Sequence, residues 1–167
     1  QNLKDSESEK SGTIQITGDI AFTEQITIPK GVTVTIIGDG KNHELCKSDD
    51  AKNGTTLFVI EDGAEFTIDG DLTLLANKDG NDLIKCHGKF TLENGTLDFA
   101  NFKISAGTGI VSVWGENAEF TMEDGRIQNA NINACSAGVR VCGGGSFTMN
   151  GGTISGIKAG GSYESGA

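Results

Sequence analysis

Residues 146–156 read SFTMNGGTISG, and three earlier stretches keep the same order: EFTIDGDLTLL at 65–75, KFTLENGTLDF at 89–99 and EFTMEDGRIQN at 119–129. Each contains an aromatic residue, a threonine, a larger aliphatic, a polar residue, a glycine turn and a further aliphatic. Aligned, they form columns: Phe66, Phe90, Phe120 and Phe147, then, two residues on, Ile68, Leu92, Met122 and Met149. Alternate side chains of a strand face one side, so these are two core columns, and Thr67, Thr91, Thr121 and Thr148 between them point outward. Past Gly70, Gly95, Gly125 and Gly152 the core is expected to resume at Leu72, Leu97, Ile127 and Ile154. Each phrase is therefore two short strands around a glycine corner.

A second apolar segment precedes each phrase: TTLFVIE, DLIKCHG, GIVSVWG and GVRVCGG. Taking Lys85, Ser112 and Arg140 as outward places Leu57, Ile84, Val111 and Val139 inside, with Val59, Cys86, Val113 and Val141 in the next inward column. Three strands in about 27 residues, repeated in register, is what one coil of a parallel β-solenoid requires. Asn94-Gly95 and Asp124-Gly125 are also hairpin signals. Hairpins would leave unexplained why residues one unit apart match in size and polarity, whereas stacking places each about 4.8 Å above its counterpart. The expected fold is all-β, a right-handed parallel β-helix of about five coils with an atypical N-terminal coil or cap.

Residues 1–12 read as a polar segment or short cap, 13–54 as an N-terminal capping coil with a projecting loop, and 55–167 as repeat coils whose C-terminal end is truncated. Within the capping coil, Gly31, Val34, Thr35, Ile36 and Gly38 match Gly63, Phe66, Thr67, Ile68 and Gly70, and the stretch from Asp39 to Gly54 is the projecting loop. At the C-terminus SGIKAGGSYESGA stops where a further coil is due, so end-to-end self-association of the fragment is expected. Asn77, Asn101 and Asn131 are read as a structural ladder at a corner, with Lys158 breaking the series.

Composition narrows the function. With 23 acidic residues against 13 Lys plus Arg the net charge is -10, which repels phosphate backbones and excludes nucleic acid as a partner. No apolar run approaches the roughly 20 residues that span a bilayer, so direct membrane insertion is not expected. Cys46, Cys86, Cys135 and Cys142 lack the paired spacing of a zinc site; free thiols are the first reading and a disulfide the second.

The phrase FTMNGGTISG and the opening ITIPKGVTVTIIG resemble the right-handed parallel β-helix repeats of large adhesin-like surface proteins from gut bacteria and related microbes. The resemblance runs from Gly12 onward and specifies a repeat rather than a chemistry. It implies a secreted or cell-wall-displayed protein, part of a longer chain, that attaches to a host or environmental glycan or protein. It implies no cofactor and carries over no set of functional residues.

Three classes of site follow from the outward columns. The first strand of each coil is expected to present Phe58, Lys85, Ser112 and Arg140 beside Ile60, His87, Trp114 and Cys142. Phe58, Ile60, Lys85, His87, Trp114 and Arg140 are thus the ligand-binding candidates, since Trp and Arg anchor interfaces and aromatic planes stack on sugars. The opposing possibility is burial of Ile60 and Trp114 through inverted alternation. Asp69, Glu93 and Glu123 form an acidic column, weakly suited to calcium. The same column, with Asp124 and Arg126, offers the raw materials of a polysaccharide lyase or glycoside hydrolase. One carboxylate per coil on an open face is expected to be a solvated stripe, so no catalytic residue is assigned. An ice-binding solenoid is the remote alternative, because Thr35, Thr67, Thr91, Thr121 and Thr148 make a single outward rank where flat ice contact wants two.

Overall fold

The computed structural model describes residues 10–51, 56–132 and 135–159. The first coil consists of β1 (Lys10–Ile16), β2 (Ile20–Phe22) and β3 (Ile26–Ile28), and the second of β4 (Val32–Gly38), β5 (His43–Lys47) and β6 (Phe58–Ile60). The third is β7 (Glu65–Asp69), β8 (Leu72–Leu75) and β9 (Ile84–Cys86), and the fourth β10 (Lys89–Leu92), β11 (Thr96–Asp98) and β12 (Gly109–Trp114). β13 (Glu119–Met122), β14 (Arg126–Ile132) and β15 (Ala137–Cys142) complete a fifth coil, above which lie β16 (Ser146–Met149) and β17 (Thr153–Ala159). Every third strand pairs in parallel, giving a first sheet β1-β4-β7-β10-β13-β16, a second β2-β5-β8-β11-β14-β17 and a third β3-β6-β9-β12-β15. The fold is an all-β parallel solenoid, and the Asn-Gly and Asp-Gly pairs turn corners between sheets. There, Oδ1 of Asn94 and of Asp124 accepts from the next glycine's N–H at 2.8 and 2.7 Å.

The phenylalanine column forms as expected. Phe66, Phe90, Phe120 and Phe147 are in register and stack at centroid distances of 5.9, 4.9 and 4.9 Å. Below Phe66 the ring series passes to Phe58 of the third sheet, 4.9 Å away, because Val34 occupies the first-sheet position. The aliphatic column runs from Ile36 through Ile68, Leu92 and Met122 to Met149. Val141 and Met149, inward by register, are exposed at the β15–β16 end of the described stack.

Several expectations need correction. The second-sheet core column is Leu45, Leu74, Leu97, Ile127 and Ile154, so Leu72 is two residues out of register with Leu97. Leu72 is nonetheless buried, since a two-residue slip keeps a side chain on the same face. Residues 43–47 do not project; they are β5, a strand of the second sheet with Leu45 inward. β1 begins at Lys10, inside the segment read as a polar cap, and residues 1–9 lie outside the described residues. Lys158 follows Asn131 in register as expected, but Asn131 bridges Lys103 rather than Asn101, so the asparagines do not form one column. Their amides bond main chain instead, Asn77 Nδ2 donating to the Lys47 carbonyl and Asn131 Nδ2 to that of Asn101.

Candidate functional site

The third sheet carries the candidate wall. Its register pairs Phe58 with Ile84 and Val111, Ile60 with Cys86 and Val113, and Val59 with Lys85, Ser112 and Arg140. Phe58 and Ile60 therefore face the core, at 4 and 0% exposure, and are not wall residues. The physical reason is the corner before β6. Leu57 is also fully buried, so the chain turns two successive side chains inward and the alternation restarts one residue later than expected. Val59 takes the outward position assigned to Phe58. Glu61, which follows Ile60, stands across from His87 where Ile60 was expected.

The other four candidates do come together. Trp114 is 51% exposed at the end of β12, with its neighbours Val111 and Val113 anchored in the core. The Arg140 guanidinium lies over the indole, 5.7 Å from the ring centroid, a cation–π distance. His87, one coil below, donates from Nδ1 to the Trp114 carbonyl at 2.9 Å, which fixes its ring against the strand. On the coil above, Gly143 lies against the indole, where a Cβ would stand 3.4 Å from Trp114 Nε1. Lys85 is exposed in the adjacent column, and Ser112, between Lys85 and Arg140, is buried. Its hydroxyl donates to Asp82, also buried, whose Oδ1 accepts from Gly109 N at 3.1 Å. Asp82's charge is thus bound into the sheet margin, leaving Lys85 and Arg140 as the cations beside Trp114.

Next to the wall the corner between the third and first sheets is notched. β9 reaches β10 through only His87 and Gly88, whereas β6 reaches β7 through four residues. The notch, about 500 Å³, is bordered by Asp62, Glu65, Lys89, Glu116, Asn117 and Glu119. Gly88 is required at its floor, since a Cβ would lie 2.3 Å from the Ala64 carbonyl oxygen and 2.4 Å from that of Glu61. Lys89 pairs with Glu119 at 3.3 Å, so the margin keeps an acidic balance.

Asp69, Glu93 and Glu123 stack in the first sheet's outer face, all exposed, and Asn150 Nδ2 bonds both Glu123 oxygens at 3.0 and 2.9 Å. Among the described residues no three His, Cys, Asp or Glu side chains converge in a way that could hold a metal ion. Around the glycine corner, Asn42, Asp71, Asn94, Asp124 and Arg126 line a groove of about 350 Å³. The threonine rank extends down to Thr13, but the columns on either side of it are largely charged, with Glu65, Lys89 and Glu119 to one side and the acidic column to the other.

The four cysteines are free. Burial pushes the Cys86 thiol up to about 12, against hydrogen bonds to the Glu119 and Gly88 carbonyls. Burial also raises Cys46, with Glu44, Asp49 and Asp19 adding to the effect. Two polar groups of β5 lie outside the sequence-derived candidates. His43 is held between Asp39, at 3.0 Å, and Asp19, at 3.7 Å. Desolvation at Asp39 is outweighed by hydrogen bonds from Lys41 N and His43, and its carboxyl sits below the usual range. Lys47, 6% exposed, shares Leu45's inward parity; burial and the Lys78 charge push its ammonium down to about 8, with Asp82 acting the other way. The alternation in HELCK was the available signal for both.

Comparison of the chain with protein-family models, with curated proteins and with solved structures returns no match.

Proposed function

We propose that this chain is a non-enzymatic adhesion or display module of a secreted or wall-displayed bacterial surface protein, and that it binds a host or environmental glycan or protein through the third-sheet wall. The observation that carries this reading is Trp114, half exposed on a rigid strand with Arg140 over its ring. A large indole held in water on one face of a stacked sheet is a rigid anchor with little conformational entropy to lose on binding. The likeness of the repeat phrases to adhesin-like β-helix proteins supports the surface setting. Exposure of Val141 and Met149 at one end of the described stack supports end-to-end self-association, which sedimentation at increasing concentration tests.

The experiment is a glycan-array and host-protein screen with the chain and its Trp114→Ala variant. Loss of at least about 2 kcal/mol of affinity in the variant is expected of such an anchor. Binding retained by Trp114→Ala and abolished by Glu93→Gln with Glu123→Gln would move the function to the acidic column. A polysaccharide-active enzyme is the second reading, favoured by Asp71, Asp124 and Arg126 in one groove. Release of shortened sugars by the chain, abolished by Asp124→Asn, would establish it.

A further inference from the structure

The wall gathers two cations around an exposed indole in a molecule whose net charge is -10. Exposed Lys85 and half-buried Arg140 are its two cations, in the column beside Trp114. Of the carboxylates nearby, Asp82 is buried on Ser112 and Gly109, exposed Glu61 lies two coils below Trp114 with Oε2 accepting from Lys30 N at 3.2 Å, and exposed Glu116 stands at the corner beyond Trp114. We infer that the occupant of this wall is an anionic glycan, a chain of pyranose rings bearing carboxylate or sulfate groups, lying along the stacking direction. This rests on the glycan-binding reading proposed above and adds the ligand's charge and direction.

Three features converge on this class. The indole, 51% exposed, offers apolar surface to one sugar ring, and the guanidinium over it presents paired N–H donors to a carboxylate or sulfate in the fork geometry that such anions match. Lys85 and Arg140 lie two coils apart in one column, about 9.6 Å at ordinary strand spacing, on the order of the disaccharide repeat of an extended polysaccharide. A polymer with one anion per disaccharide can then reach the flexible Lys85 ammonium and the Arg140 guanidinium while a ring rests against the indole that Arg140 overlies. The notch around Gly88 supplies the direction. Its margin of Asp62, Glu65 and Glu116, with Glu119 paired to Lys89, stays net negative and repels an anionic chain turning the corner, leaving the column direction along the third sheet as the favourable path.

The test uses a chondroitin sulfate hexasaccharide and its desulfated, carboxyl-reduced counterpart, with poly-glutamate as an anionic peptide control. Each is titrated against the chain while Trp114, the only tryptophan, reports by fluorescence. The expected result is saturable quenching by the charged sugar, at least tenfold weaker binding of the neutral one, and weakening as salt rises from low to physiological strength. Arg140→Gln should weaken binding about tenfold and Lys85→Gln about threefold, the smaller figure because an exposed, flexible cation is more fully screened. Circular dichroism of both variants should match the parent. Equal binding of charged and neutral sugars, lost in Trp114→Ala, would overturn the inference while leaving the glycan-binding wall standing. Saturable binding of poly-glutamate with both sugars silent would overturn the glycan class and move the partner to an acidic protein segment. Silence of Trp114 toward all three probes would overturn the inference as well, and the array screen then decides the wall by itself.

Discussion

Truncating Phe120 to alanine tests the stacked core most directly. Its ring is 1% exposed and lies between Phe90 and Phe147, each at 4.9 Å and inclined by 19 and 18°. Burying a phenylalanine contributes roughly 1.5–3 kcal/mol, and Phe→Ala in a packed interior costs about 3–5 because the cavity persists. Two ring contacts, each worth about 0.5–1.5 kcal/mol beyond area, place this site toward the upper end. The rigidity of the neighbouring coils leaves little room for collapse. Phe147, half-buried and with one ring partner, should lose about half as much. Thr121, half-exposed on the opposite face, should lose no more than about 1 kcal/mol as Ala. Urea denaturation measures the three variants, and at a slope of about 1–3 kcal/mol per molar Phe120→Ala should shift the midpoint by more than about 1 M. Because coils of a solenoid support their neighbours, hydrogen exchange should show protection falling in β10 and β16 as well as β13. Equal losses at Phe120 and Thr121, or a larger loss at Phe147 than at Phe120, would refute the packing argument.

Gly88→Ala should cost at least about 1–3 kcal/mol, since its Cβ collides with two main-chain oxygens, whereas Gly12→Ala, with nothing within 4 Å, should stay within about 0.5; thermal melts compare the two. Lys47→Met should stabilise the chain by about 1–3 kcal/mol at pH 7, where the native state holds a charge that burial disfavours. The native ammonium, with its pKa near 8, releases its proton before the unfolded one does, so parent stability rises between about pH 8 and 10.5 and the variant's advantage shrinks across that window. A constant gap in pH-dependent denaturation would contradict this. Toward a thiol reagent at pH 8, exposed Cys135 should react first, while Cys86, with about one part in ten thousand as thiolate, should react only on unfolding; peptide mapping after timed alkylation decides.

How much was legible depended on whether a segment alternates. EFTMEDG alternates apolar and polar residues around a threonine, so the inward placement of Phe120 and Met122 could be read directly, and three further copies in register made the stack legible. Trp114 was legible in the same way, through Val111 and Val113 on either side of a serine. Leu57, Phe58, Val59 and Ile60 are four apolar residues in a row, and no alternation tells which two face in. The corner decided it, sending Leu57 and Phe58 inward together and leaving Glu61 in the wall. Leu72 and Leu74 share a parity, so pattern could not separate a two-residue slip from the true register. In HELCK the acidic and basic residues suggested a loop, although Leu45 and Lys47 both fall on the core side.

Side-chain alternation is a property of the extended backbone itself, so the sequence alone determined which faces of the alternating repeat strands are core and that the repeats stack. Corner length is different: a residue more or less at a glycine turn carries little local penalty. Which strand positions then meet is settled only when rings and aliphatics from successive coils pack together. Tertiary packing alone therefore decided that Phe58 continues the ring stack and that Lys47 is enclosed. It likewise decided that Arg140 lies over Trp114, since these two residues come from different coils and meet only through the register of β12 with β15.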